Sequence, residues 1–152
     1  MPTADKSADR KACIKCIMKI SKKAYYGLRA TLALAQTEKP LSIHTLAEME
    51  HLPLDYLEKI LQTLRKAGLV TAHKGVAGGY ALARPASETN IWEILRELDP
   101  PIKTFSTPLK GELPCLHVGH CQTNEVWRML ENKIEKTLSD VTLESLIPRN
   151  NS

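Results

Sequence analysis

A chain of 152 residues with 43% hydrophobic, 25% charged and 5% aromatic side chains has an ordinary globular composition, which excludes disordered and collagen-like classes. It holds no run of about eighteen apolar residues, so no membrane span is expected, and its polar first seventeen residues do not read as a secretion signal. The net charge of +4 is uneven: +5 over residues 1–23, −1 over 24–53, +3 over 54–84 and −3 over 85–152.

Residues 1–17 show no sustained apolar period and read as a flexible basic leader, with Met18 as a candidate start. From Ser21 the pattern changes. Ser21 is a predicted N-cap, and Ala24, Leu28, Leu32 and Ala35 recur at helical spacing up to Gln36. Pro40 breaks this helix, and Ser42 caps a second of about two turns, with Ile43, Leu46 and Ala47 inward. The chain then turns at His51-Leu52-Pro53 into a third helix, Leu54 to Ala67, with Leu57, Ile60, Leu61 and Leu64 inward and Gly68 at its C-terminal cap. Residues 69–74 and 80–83 read as two strands joined by a glycine-rich tip. Asn90 caps a further helix bearing Ile91, Ile94, Leu95 and Leu98, which Pro100-Pro101 stops.

The order of these parts is that of a winged helix-turn-helix, assigned to residues 18–98. A recognition helix needs an apolar stripe to fix it and a polar row to reach base edges. Tyr56, Glu58, Lys59, Gln62, Thr63 and Lys66 are that row, and Tyr26 on the first helix joins the candidate surface. A wing needs a narrow tip and a cation for the phosphates, which Gly78, Gly79 and Lys74 supply. His44 and His73 read as ordinary helix and wing residues. The basic 54–84 segment agrees with double-stranded DNA as partner.

Residues 99–123 form a loop longer than compact domains usually tolerate without a function. It holds Cys115-Leu-His-Val-Gly-His-Cys121, two thiols and two imidazoles within seven residues. Cys115 and Cys121, with His117 and His120 as further ligands, are the candidate metal or redox site. Cys13-Ile-Lys-Cys16 in the leader is a second ligand-like pair. With no secretion signal, the four cysteines suit a reducing cytoplasm. Residues 124–147 return as a long helix and a short capped turn, followed by a tail over 148–152. Trp127, Leu130, Ile134 and Leu138 form a narrow seam suited to a partner helix, hence to a homodimer. The fold class is therefore mainly α, with a two-stranded wing and a long C-terminal dimerisation helix.

Three stretches carry a family resemblance. Residues 18–30 (MKISKKAYYGLRA), 54–70 (LDYLEKILQTLRKAGLV) and 74–84 (KGVAGGYALAR) closely resemble the iron–sulfur cluster regulator (IscR) family, which also includes the repressors NsrR and CymR. The resemblance spans Met18 to about Ile147. It implies a dimeric transcription regulator, expected to be a repressor, that binds a near-palindromic operator, and it places Tyr56, Glu58 and Lys74 at the DNA surface. It also implies an iron–sulfur cluster in the loop, held in many members by three cysteines and a fourth ligand from elsewhere. This chain departs from that pattern, because Leu109 stands where a first cysteine is expected, Asn124 where some members have histidine, and Tyr25 where others supply a carboxylate. A cluster here needs His117, His120, Cys13 or Cys16 as substitutes. The other readings are a thiol pair, or a metal-free member governed by a small molecule or a protein.

Two rival classes stand beside the regulator. An enzyme would use a cysteine–histidine pair in the loop, but no oxyanion signature or phosphate loop accompanies one. A winged helix used only for protein contacts is the other.

Overall fold

The computed structural model describes residues 20–99 and 122–148. The leader, Cys13, Cys16 and the loop with Cys115, His117, His120 and Cys121 lie outside the described residues, as does the side chain of Trp127. The chain divides into two compact units, one of Ile20–Pro101 with Glu135–Ser152, the other of Met1–Lys19 with Ile102–Ile134.

Helix α1 (Lys22–Ala35) is capped by Ser21, whose Oγ accepts the Ala24 N–H at 3.0 Å. Helix α2 (Ile43–Glu50) starts the same way, Ser42 Oγ accepting from Thr45 N–H at 3.1 Å. Helix α3 (Leu54–Lys66) closes on Gly68, at φ +74, where the Leu69 N–H returns to the Leu64 carbonyl at 3.0 Å and the Gly68 N–H to that of Arg65. Strands β1 (Val70–His73) and β2 (Gly79–Leu82) pair antiparallel, Val70 opposite Leu82 and His73 opposite Gly79. A 3₁₀ turn, Ala86–Glu88, leads to α4 (Ile91–Leu98), capped by Asn90. Helix α5 (Gln122–Ser139) and the short α6 (Leu143–Leu146), capped by Thr142, complete the described chain. No described helix is long and apolar enough to cross a membrane.

In the larger unit α1 is the central post. It touches α2, α3, α4, α6 and β2, so its buried face is wide rather than a single stripe. Ala24 is buried as its spacing implied, but Leu28, Leu32 and Ala35 are only half-buried, while Gly27, Ala30, Thr31, Ala33 and Leu34 are buried. Small residues occupy the crowded positions. A Cβ on Gly27 would overlap a methyl of Leu98, so the Leu98 side chain of α4 occupies the space the glycine leaves on α1. The same two helices are tied at their ends by the Ser21 N–H donating to Asp99 Oδ2 at 2.9 Å.

The winged segment does not close its core by itself. Residues Asn90 and Thr142 form an isolated bridge, with Ile91 N–H to Val141 O and Leu143 N–H to Thr89 O, both 2.9 Å. That seats Leu143, fully buried, in the core cluster, with Leu138 and Val141 packed against that cluster.

A second bridge matters more for the wing. Leu41, one residue before the α2 cap, exchanges both backbone hydrogen bonds with Tyr80, at 2.9 and 2.7 Å. The hairpin thus has a one-residue third strand, and Gly79 lies where a Cβ would strike the Leu41 carbonyl. Its φ of +154 also disfavours a side chain. Gly79→Ala is therefore expected to cost about 1–3 kcal/mol, as backbone strain of this kind does. Urea denaturation of the two proteins checks this, and equal midpoints would mean that the hairpin base relaxes freely.

Candidate nucleic-acid interface

The helix-turn-helix is built on the burial of α3. Leu57, Ile60, Leu61 and Leu64 are fully buried, and the spacing of these four turns Asp55, Lys59, Gln62 and Lys66 to the opposite, exposed side. Glu58 and Arg65 are exposed on one flank, and Tyr56 and Thr63 are half-buried on the other. The turn before α3 uses an uncommon residue. The left-handed position that closes α2 is held by His51 at φ +52, so that the Leu52 N–H reaches the Ala47 carbonyl at 3.0 Å and Leu52 is buried.

Not every predicted contact residue is equally available. Thr63 Oγ1 donates to the Lys59 carbonyl at 2.9 Å, which spends its proton inside the helix. Gln62 Nε2 donates to Glu58 Oε1 at 3.3 Å, so the two form one exposed unit. Tyr56 packs edge-on against Tyr26, ring centroids 6.2 Å apart, and Tyr26 against Tyr25 at 5.4 Å. This aromatic run joins α1 to the start of α3. By contrast Lys59, Lys66 and Lys74 have no ion-pair partner among the described residues. Arg65 is a fourth such cation. Reading for the most outward row leaves it out, although two cations in the last turn of a helix, Arg65 and Lys66, also suit its dipole.

The wing tip runs from Lys74 to Gly78. It turns through Gly75 at φ +107 and a Gly78 N–H to Gly75 carbonyl bond of 3.0 Å. A Cβ on Gly78 would strike the His73 carbonyl, so the tip stays as thin as backbone allows. Val76 is fully exposed. Behind this surface Arg29 of α1 holds Glu50 of α2 through Nε at 2.7 Å and lies 5.8 Å from the Tyr25 ring centre. The Glu50 carboxylate pushes the Arg29 guanidinium further above its already high range, so this cross-tie between the two helices keeps its cation at any working pH. No group of three or more metal-ligating side chains occurs among the described residues.

This arrangement has close counterparts. Residues 20–149 match the profile of the Rrf2 family, described as an iron-dependent transcriptional regulator. An HTH-type transcriptional regulator of Synechocystis sp. is 38% identical over 131 residues, 85% of this chain and 87% of that protein. Among solved structures, IscR of T. potens superposes with a TM-score of 0.68 at 35% identity, covering 84% of this chain and 85% of that one. CymR, the global cysteine regulator of B. subtilis, gives 0.69 at 32% identity, covering 86% and 96%.

Proposed function

Because the chain belongs to the Rrf2 family, with IscR- and CymR-like regulators as its relatives, we propose that it is a homodimeric repressor that binds a near-palindromic operator and answers to redox or iron–sulfur status. The chain is a winged helix-turn-helix transcription regulator and not an enzyme.

The observation that carries the DNA reading is the exposed polar face of α3 flanked by cations that have no ion-pair partner among the described residues. Lys59, Gln62 and Lys66, with the Glu58–Gln62 unit, face outward where a major groove admits a helix, and Tyr26, Tyr56 and Thr63 line its half-buried flank. Lys74, with the thin Gly75–Gly78 tip, suits the phosphates or the minor groove. Gly78 and Gly79 serve this role through backbone that no side chain thickens.

Dimerisation is assigned to the seam of Trp127, Leu130, Ile134 and Leu138. In support, Val126, Met129 and Leu130, spaced three and four residues apart on α5, are 58%, 61% and 42% exposed, an apolar patch that a lone helix leaves in water. Sensing is assigned to Cys115 and Cys121. Two thiolates with His117 and His120 make a donor set of the composition that iron–sulfur centres accept, and Cys13 and Cys16 are further thiols for it. A bound cluster would supply a redox- and iron-dependent charge at that segment, whereas the thiols alone can form a disulfide.

Three outcomes are expected. Lys74→Ala weakens binding to every duplex alike and lowers the slope of log K against log salt by about one per wing; unchanged titrations would remove Lys74 from the interface. Replacing both Leu130 and Ile134 with Asp gives monomers in sedimentation, and a persistent dimer would place the interface elsewhere. Cys115→Ala and Cys121→Ala abolish the redox response of DNA affinity without unfolding the protein. Iron and acid-labile sulfide in the anaerobic wild type alone would select the cluster, metal-free protein with redox-dependent affinity the disulfide, and identical affinities throughout would discard both.

A further inference from the structure

The wing carries little charge. Between Val70 and Ala83 the sequence holds one fixed cation, Lys74, no acid, and one imidazole, His73. His73 ends β1, is exposed, and sits opposite Gly79, which has no side chain to cover it. We propose that His73 is a second phosphate-binding group of the wing, active in its protonated form, so that DNA affinity rises as pH falls.

The hydrogen bonds show how the ring is set. Thr71 lies two residues earlier on the same face of β1, and its Oγ1 is 3.2 Å from His73 Nε2. That hydroxyl also donates to the Ala81 carbonyl at 3.5 Å. Thr71 Oγ1 and His73 Nε2 thus share one hydrogen bond that holds the ring along the strand. Nδ1 has no partner among the described residues. Protonation gives both ring nitrogens an N–H and the ring a positive charge, on the residue next to Lys74. The wing then carries two positive charges in place of one.

His73 forms no ion pair among the described residues. Only Tyr80 is ionisable on β2. Helix α3, the other element packed on β1, carries Asp55, Tyr56 and Glu58 towards its start, with Lys59, and Arg65 and Lys66 at the end that leads into the strand. A phosphate brought against the wing favours the imidazolium over the neutral ring. Proton uptake is therefore linked to DNA binding through this contact.

This inference rests on the DNA-binding reading, and one experiment separates the two. A fluorescein-labelled duplex of mixed sequence, about 40 base pairs, is titrated with full-length protein by anisotropy at about pH 6 and about pH 8, across a salt series. Wild type is expected to bind more tightly at the lower pH, with the slope of log K against log salt steeper by about 0.9 for each wing on the phosphates. His73→Gln should lose that steepening, and His73→Lys should show it at both pH values. His44→Gln and His51→Gln, changed on α2, should keep it. No salt-dependent binding at all would overturn the DNA reading and this one together. Binding whose slope ignores pH, or a pH dependence that His73→Gln retains in full, would overturn the role of His73 alone.

Discussion

What α3 can present to a ligand depends on the four side chains that face inward on it. Leu57, Ile60, Leu61 and Leu64 are fully buried, and each such burial is worth about 1.5–3 kcal/mol relative to exposure. Turning α3 by one residue, about 100°, would bring part of this stripe into water and carry charged residues towards the core. The rotational setting of the outward row is therefore fixed by hydrophobic burial alone, before any polar contact is considered. Polar groups on that row are then free to be selected for a ligand rather than for the fold.

The wing is set by a different kind of constraint. A two-stranded hairpin has little stability of its own, and here it gains a backbone pair at Leu41, immediately before the Ser42 cap of α2. The residue that positions the wing and the residue that starts the helix-turn-helix are consecutive. Wing and α2 consequently share one backbone anchor, and the absence of a side chain at Gly79 is what permits the approach. Arg29–Glu50 and the Tyr25–Tyr26–Tyr56 run add side-chain ties from α1 to α2 and α3. The recognition surface is thus assembled on α1 rather than standing on its own two helices.

Much of this was legible in the sequence because it is local. Ser21, Ser42, Asn90 and Thr142 accept from backbone N–H groups three residues on, a relation that spacing alone reveals, and the α3 stripe and Gly68 follow from periodicity and cap chemistry. What escaped was either long-range or atypical in residue type. The Leu41–Tyr80 and Asn90–Thr142 bridges join backbones whose side chains form no pattern, and Asp99 to Ser21 spans 78 positions. His51 holds a conformation that glycine usually advertises. On α1, reading large apolar residues as the inward face failed because contact on many sides favours small ones there. Within the interface, the outward row of α3 could be read from its period, but Arg65 lies on a flank, the Thr63 proton is spent on a carbonyl, and the exposure of His73 depends on what stands across the hairpin.

Helix α5 shows why a seam read as one feature can have two duties. Its eighteen residues extend about 27 Å. Near its end, in the larger unit, Leu138 packs against the same core as Val141 and Leu143. Earlier on the helix, in the smaller unit, Val126, Met129 and Leu130 are exposed. A single exposed leucine needs no explanation, but apolar side chains one helical turn apart form a continuous face whose cost in water grows with its area. The C-terminal end is thus secured by the chain's own core, while the earlier face has no such cover among the described residues. In the homodimer proposed above, an identical helix from a second copy would offer the same apolar surface in return, and a two-fold arrangement would cover both faces at once.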